Sequence, residues 1–392
     1  MIPLSIPNIS GNEWKYVKEC LDTGWISSVG SFVNLFEEKM AGFTGARYAV
    51  ATMNGTAALH LSLQLAGAER GDYVIVPDIT FIASCNAVSY LGAEPLLIDV
   101  DKDTWQMDLD LLESFLEENT FLVGSTKGEG PEIIRSHIKQ SGRRIGAILP
   151  VHVLGNMVAM DRLIRICKKY HIPMVEDSTE ALGSTYKGKH AGTFGIFGTS
   201  SFNGNKIIST GGGGMLLTDD EQLAKRAKHL TTQAKTDPFE YDHDEIGYNY
   251  RLVNILAAVG VAQMEQLPGF LKRKKEIDRY YRQSLENENL RFQKVGEHVE
   301  PNNWLHTMWV DKQRPMIDHL LKNNVQCRPF WVPMHRLNMF SHCLFISTNQ
   351  VSDQVYQHCI SIPSSTNLTD SEVEEVVKVV RGFGSWLVAR SW

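Results

Sequence analysis

No run of about 18 consecutive apolar residues occurs in the chain, which excludes a transmembrane helix, and no internal repeat or low-complexity tract is present. The opening residues MIPLSIPNISGNEWK show neither a basic stretch nor an apolar core. No secretory signal is therefore expected, and a cytoplasmic location is. Basic residues are outnumbered, 39 Lys and Arg against 45 Asp and Glu, for a net charge of −6. Nucleic-acid binders concentrate positive charge, so that class is set aside. Cysteine is scarce, six in 392 residues, with no C-x-x-C spacing. That excludes a disulfide framework and the common zinc patterns. His342-Cys343 and His358-Cys359 invite a metal reading, but adjacent side chains point apart on a helix or strand, so both pairs are expected to pack and no metal is expected. Two nucleotide motifs are also missing. The GGGG run is not followed by Lys-Ser/Thr, and no G-x-G-x-x-G leads from a strand into a helix.

What is present reads as globular. Hydrophobic residues make up 43% and charged residues 21%, near the average for a folded domain. At roughly 100–200 residues per domain, the length points to two. The first 230 residues, within a large α/β domain expected over residues 1–250, alternate short apolar runs with helical patterns. Candidate strands are Tyr73–Pro77, Pro95–Val100, Ile145–Val151, Ile172–Glu176, Ile196–Phe202 and Gly214–Thr218; candidate helices between them are Gly55–Leu65, Ile82–Leu91 and Met160–Tyr170. Strands and helices at this pitch imply βαβ units and a mostly parallel sheet covered on both faces. Thr120–Arg144 is polar and irregular, a surface insertion with one short helix. From residue 251 to 392 the pattern suggests a smaller α/β domain. It opens with an apolar helix, Leu252–Gln266, ended by Pro268-Gly269, then a charged helix, Phe270–Glu286. Weaker strands near Arg291–Val295 and Trp304–Val310 follow, with helices at Met316–Asn323 and Asp370–Gly382.

In open α/β sheets ligands collect where strands deliver their C-terminal ends. Four features fall there. Asn54-Gly55-Thr56-Ala57 opens a helix and offers N–H groups and a hydroxyl to a phosphate; alone, an ordinary cap accounts for it. Asp177 follows a buried-looking strand, where an unpaired charge is costly. A pyridinium nitrogen would partner it, and so would a neighbouring helix N-terminus. Ser201 and Lys206 stand in the turn SFNGNK, just before the glycine run 211–214. A solvated lysine on a flexible turn is the plain alternative, but glycines also let backbone approach a ligand closely. Phe81, after another strand, is either packing or a plate for a flat ring. Together the four suit pyridoxal phosphate (PLP), held by a lysine Schiff base with a carboxylate on its pyridinium.

The segments NGTAALHL, PDITFIASCNAV, GAEPLLIDVD, PVHVLGN, VEDSTEALGS, SFNGNKIISTGGGGM and GYNYRL resemble the DegT/StrS family of PLP-dependent sugar aminotransferases, in order and spacing over about residues 1–365. GNEWKYVKECLDTGWISSVGSFV, SFNGNK and RPFWVPMH look closest to its LegC subgroup. The resemblance implies an α/β protein of aminotransferase fold type I. Its reaction would aminate the 4-keto group of a nucleotide-linked 2-acetamido-2,6-dideoxyhexose, UDP- or GDP-bound, with L-glutamate as donor, on routes to legionaminic-acid-type sugars. It also implies a homodimer with shared active sites.

Carried onto this chain, the resemblance makes Lys206 the Schiff-base lysine, Asp177 the pyridinium partner and Phe81 the stacking residue. Gly55, Thr56, Ala57 and Ser201 form the phosphate cup, and Asn249 or Arg251 reaches the partner subunit's cofactor phosphate. Glu180 stands where many members carry His or Gln beside the cofactor's 3′-oxygen, and a carboxylate there needs a proton or a water to hydrogen-bond a phenolate. Trp25, Arg328, Trp331 and His335 lie in segments resembling substrate-contacting loops. His152 closes a strand and is either a substrate contact or structural. The run Lys272-Arg273-Lys274-Lys275 is expected to be a solvated helix face, and Tyr241-Asp242-His243-Asp244 an exposed loop. The family's dehydratases replace the lysine by histidine, so Lys206 argues against that rival. Lys206, Asp177, Ser201 and Thr56 together argue against a non-catalytic relative.

Overall fold

Apolar strands buried on both faces align in parallel, as βαβ crossovers require. In the computed structural model, which describes residues 1–125, 133–237, 239–287 and 289–383, the central sheet runs in the order Phe345–Ile346, Glu94–Ile98, Tyr73–Pro77, Ile145–Ile148, Val175–Asp177, Phe197–Ser201, Gly214–Thr218 and Tyr48–Thr52. Bridges Ile148–Met174 and Val151–Asp177 join its two halves. Gly214–Thr218 runs opposite to the other seven strands. Side-chain alternation divides the core between the two faces. Val74 and Val76 enter one apolar cluster, while Ile75 enters the other with Leu96 and Ile98. The mostly parallel α/β sheet read from the sequence is therefore present, with strand ends shifted by a few residues.

Three local expectations need correction. The insertion after Thr120 is a β-hairpin, Thr120–Ser125 paired antiparallel with Ile133–Ile138, rather than irregular chain with a helix; residues 126–132 lie outside the described ones. Pro268 does not end a helix. Asn254–Leu285 is continuous across it, because Leu267 and Phe270 on either side remain buried and tertiary packing outweighs the missing N–H. The strand Tyr48–Thr52 and the helices Glu13–Thr23, Ser31–Thr44, Leu109–Asn119 and Glu221–Thr231 were not anticipated. Two of those helices carry a legible start: Asp108 and Asp220 each accept two N–H bonds from the first turn.

Toward the C-terminus a second, antiparallel sheet runs in the order Leu290–Phe292, His306–Val310, Cys359–Ile362, Arg328–Pro329. The end of the long helix (Ile277, Tyr281, Leu285), Gln313–Lys322 and Asp370–Arg381 bury a third apolar cluster on it. The N-terminal segment binds this body, since Ile2 pairs with Val325 and Leu4 donates its N–H to Gln326. All six cysteines are buried and free, as their spacing suggested. Among the described residues no helix is long and apolar enough to cross a membrane.

Candidate active site

Tyr73–Pro77, Val175–Asp177 and Phe197–Ser201 end at a common edge of the sheet. There a cavity of about 360 Å³ opens between the two bodies, and Gly55, Thr56, Phe81, Asp177, Glu180, Ser201, Lys206, Arg328 and Trp331 all line it. Residues separated by up to about 276 positions in sequence thus meet where the strands stop.

Asp177 is buried at the last position of its strand. One carboxylate oxygen accepts from the Ser84 hydroxyl at 2.6 Å. The other accepts from the Thr179 hydroxyl at 2.7 Å and the Thr179 N–H at 3.2 Å. These donors hold the carboxyl group in a fixed orientation facing the cavity. Neither Ser84 nor Thr179 stood out in the sequence, although Thr179 lies at the short spacing from Asp177 that forms such local turns. The preceding residue, Glu176, points to the other face. It pairs with His152 Nε2 at 3.0 Å and accepts the N–H groups of Gly192, Phe194 and Gly195 at 2.9, 2.6 and 2.7 Å. Burial opposes its charge, but His152 and these N–H groups outweigh that and hold its pKa below the ordinary value. His152 is fully buried in this pair and off the cavity wall, so the structure does not bring it to substrate.

Lys206 projects into the cavity with its side chain 13% exposed. Its Nζ lies 3.6 Å from Glu180 Oε1 and 4.0 Å from the centre of the Trp304 ring. The Trp304 indole N–H donates to Asn205 O at 2.6 Å, tying the ring to the turn that carries Lys206. Trp304 was missed, since a tryptophan entering a strand reads as core. Glu180 is buried, and its Oε2 accepts the Leu154 N–H at 2.9 Å. Burial pushes its pKa up to about 7, with Lys206 pulling the other way.

The helix Gly55–Leu65 points its N-terminus at the same cavity. A helix leaves its first N–H groups without partners of its own, and Asn54 caps Ala57 at 2.8 Å. Ala57 is thereby committed to the cap, with its side chain buried away from the wall; Gly55, Thr56 and Ser201 remain on it. Close approach explains two glycines. A Cβ on Gly55 would lie 2.9 Å from Ser201 Cβ, and one on Gly214 2.5 Å from the Asn54 backbone.

Of the remaining candidates, Phe81 is 55% exposed and meets Trp331 edge-to-face at 6.4 Å. Arg328 is exposed at the cavity rim. Trp25 is exposed away from this wall. His335 also lies off it: Nδ1 bonds Asp78 at 2.7 Å and the ring stacks on Phe345 at 4.3 Å, so this histidine clasps the loop to the sheet. Burial pushes the Asp78 carboxyl up despite His335, and the Asp78 bond raises the His335 pKa. Arg251 is buried within its own chain, paired with Glu37 and donating to Ala51 O at 3.2 Å, whereas Asn249 is exposed. Neither lines this cavity.

Two surface expectations change. Lys274 is not on a solvated face but buried, because the long helix packs that side against the second sheet. His342 and Cys343 approach each other, Nε2 to Sγ 3.9 Å, rather than pointing apart, because they lie in a turn; Glu94 beside them pairs with Arg143 at 2.7 Å. Tyr241 and its neighbours are exposed, as expected.

A lysine, a buried carboxylate and a helix N-terminus converging on a parallel sheet's edge define the framework of an aminotransferase. Residues 7–381 match the model of the DegT/DnrJ/EryC1/StrS aminotransferase family, and the chain belongs to that family. It is 36% identical to the GDP-perosamine synthase of Escherichia coli O157:H7, over 98% of this chain and 99% of that protein. To the GDP-perosamine synthase of Caulobacter vibrioides it is 34% identical, over 96% of each. Among solved structures, the PLP-form of Spr1654 from Streptococcus pneumoniae superposes with a TM-score of 0.85 at 27% identity, covering 98% of each chain.

Proposed function

We propose that this protein aminates the C4 ketone of a nucleotide-linked 4-keto-6-deoxy sugar, with PLP as cofactor and L-glutamate as amino donor. The substrate is a UDP- or GDP-linked 2-acetamido-2,6-dideoxyhexos-4-ulose, and the product feeds legionaminic-acid-type or related surface-glycan sugars in the cytoplasm. Residues 1–250 supply most of the cofactor-binding domain, to which the strand Phe345–Ile346 is added, and the described residues after 250 supply most of the smaller one. The observation that carries this reading is the shared cavity of Lys206 and Asp177 beneath a helix N-terminus. The relatives named GDP-perosamine synthases support a 4-amino product and a GDP-linked substrate.

The residues fit the cofactor. Gly55, Thr56 and Ser201 line the cavity where the helix begins, so backbone N–H groups and the Ser201 and Thr56 hydroxyls can surround a phosphate at the helix N-terminus. Lys206 would hold the aldehyde end, Phe81 would cover a ring face, and Asp177 would receive the pyridinium N–H. Bound there, PLP supplies an electron sink and carries the amino group from donor to acceptor.

The chain's own groups handle the protons. Asp177, fixed by Ser84 and Thr179, keeps a proton on the ring nitrogen, because an adjacent anion favours the cationic form. Lys206 Nζ, as a free amine, would remove the donor's α-proton and later deliver one to C4 of the sugar. Glu180, 3.6 Å away, exchanges a proton with that amine near neutral pH. Arg328 and Trp331 at the rim contact the nucleotide sugar. Two chains form a dimer, and Asn249, exposed while Arg251 is occupied, extends to the partner's phosphate site.

Incubation with L-glutamate and a panel of UDP- and GDP-linked 4-ketosugars tests the reading. A 4-amino product, identified by NMR with matching 2-oxoglutarate, is expected. Turnover of ordinary keto acids alone would overturn it.

A further inference from the structure

We propose that Lys274 is a positioning residue for Lys206: from the long helix it fixes Trp304, and the fixed indole holds the Lys206 amine at its place in the cavity. Lys274 Nζ donates to Trp304 O at 2.7 Å and also to Ser364 O. It is 3% exposed, and among the described residues no carboxylate pairs with it. Burial pushes its pKa down to about 7. A buried amine without a counter-ion is costly, so its two carbonyl partners need explaining. They lie at the cavity ends of two neighbouring strands, just before His306–Val310 and just after Cys359–Ile362. Either protonation state supplies at least two N–H donors, so both carbonyls stay satisfied near neutral pH.

Trp304 then passes this anchorage to the site. Its ring is 3% exposed, its indole N–H is spent on Asn205 O at 2.6 Å, and its face lies 4.0 Å from Lys206 Nζ. Helix, strand end, indole and lysine turn are thus joined by consecutive direct contacts. An apolar residue at 274 would leave two buried carbonyls without donors, and relieving them requires the Trp304 backbone to move. The ring, with the Lys206 turn attached to it, would move as well.

The inference rests on the reading of Lys206 as the cofactor-holding amine, but its test does not. In the cofactor-free protein, dimethylation by limiting formaldehyde and cyanoborohydride is followed by peptide mass spectrometry, with exposed Lys272 as internal reference. Lys274→Met is expected to raise the Lys206 rate relative to Lys272 about threefold, as the amine leaves the ring face. Lys274→Gln, which keeps two N–H donors, should fall between Met and the native residue, and it carries the comparison if the Met variant does not fold. Trp304→Phe, which spares the backbone carbonyl but loses the indole N–H, should also raise the rate. Combining it with the position-274 change should add little, since both act through one path. An unchanged Lys206 rate in variants whose unfolding midpoint has dropped would overturn the proposal and leave Lys274 a purely structural anchor. Borohydride labelling of the unmutated holoenzyme separately checks the reading of Lys206.

Discussion

Glu180→Gln removes one buried carboxyl and leaves its shape. In the native chain Oε2 accepts the Leu154 N–H and Oε1 faces Lys206 at 3.6 Å, yet burial dominates and lifts the pKa from 4.5 to about 7. The folded state thus binds this proton more tightly than the unfolded chain. The stability it contributes is fully present below pH 4.5 and is lost as pH rises through about 7. At about 1.4 kcal/mol per pH unit, the loss across that window is roughly 3 kcal/mol. A glutamine keeps the acceptor for Leu154 but does not titrate. Urea denaturation of the cofactor-free proteins, from about pH 5 to about pH 8, isolates the effect as a difference between the two pH profiles. The native protein should lose roughly 2–3 kcal/mol relative to Glu180→Gln over that range. Profiles differing only by a constant offset would show that Glu180 is ionised throughout and would remove it from proton exchange with Lys206.

Asp177→Asn keeps the packing but removes the anion and one acceptor for Ser84 or Thr179, so turnover should fall about 10²–10³-fold with little change in unfolding midpoint; near-native turnover would make the carboxylate purely structural. Gly55→Ala places a Cβ 2.9 Å from Ser201 Cβ, and cofactor titration should show roughly tenfold weaker binding; unchanged affinity would mean the helix N-terminus does not hold the phosphate. Mixing Lys206→Ala with Asn249→Ala, each inactive alone, should restore activity to about half the sites of mixed dimers. No recovery despite subunit exchange would confine Asn249 to its own chain. Arg251 is unsuited to that test, because it is buried within its own chain and removing it breaks its pair with Glu37 and its bond to Ala51 O.

The sheet was legible because strands buried on both faces read as continuous apolar runs, as Tyr73–Pro77 and Gly214–Thr218 do to the residue. The Pro268 break failed because a local helix signal was overruled by burial on both sides of it, which no local pattern contains. In the site, Asp177 and Lys206 announced themselves as charges at strand ends. Ser84, Thr179 and Trp304 did not, since hydroxyls and tryptophans are ordinary in helices, turns and cores until a long-range contact gives them a partner. His152 and Lys274 show the opposite failure: each looked available in sequence, and each is buried against a partner distant in the chain or on the next strand.

The most direct measurement is borohydride reduction of the PLP-loaded enzyme, followed by peptide mapping of the pyridoxyl group. The account places the label on Lys206, in the peptide spanning SFNGNK, and places none elsewhere after pre-treatment with L-glutamate has released the lysine. A label on another lysine, or no covalent label in an enzyme that still turns over, would contradict it.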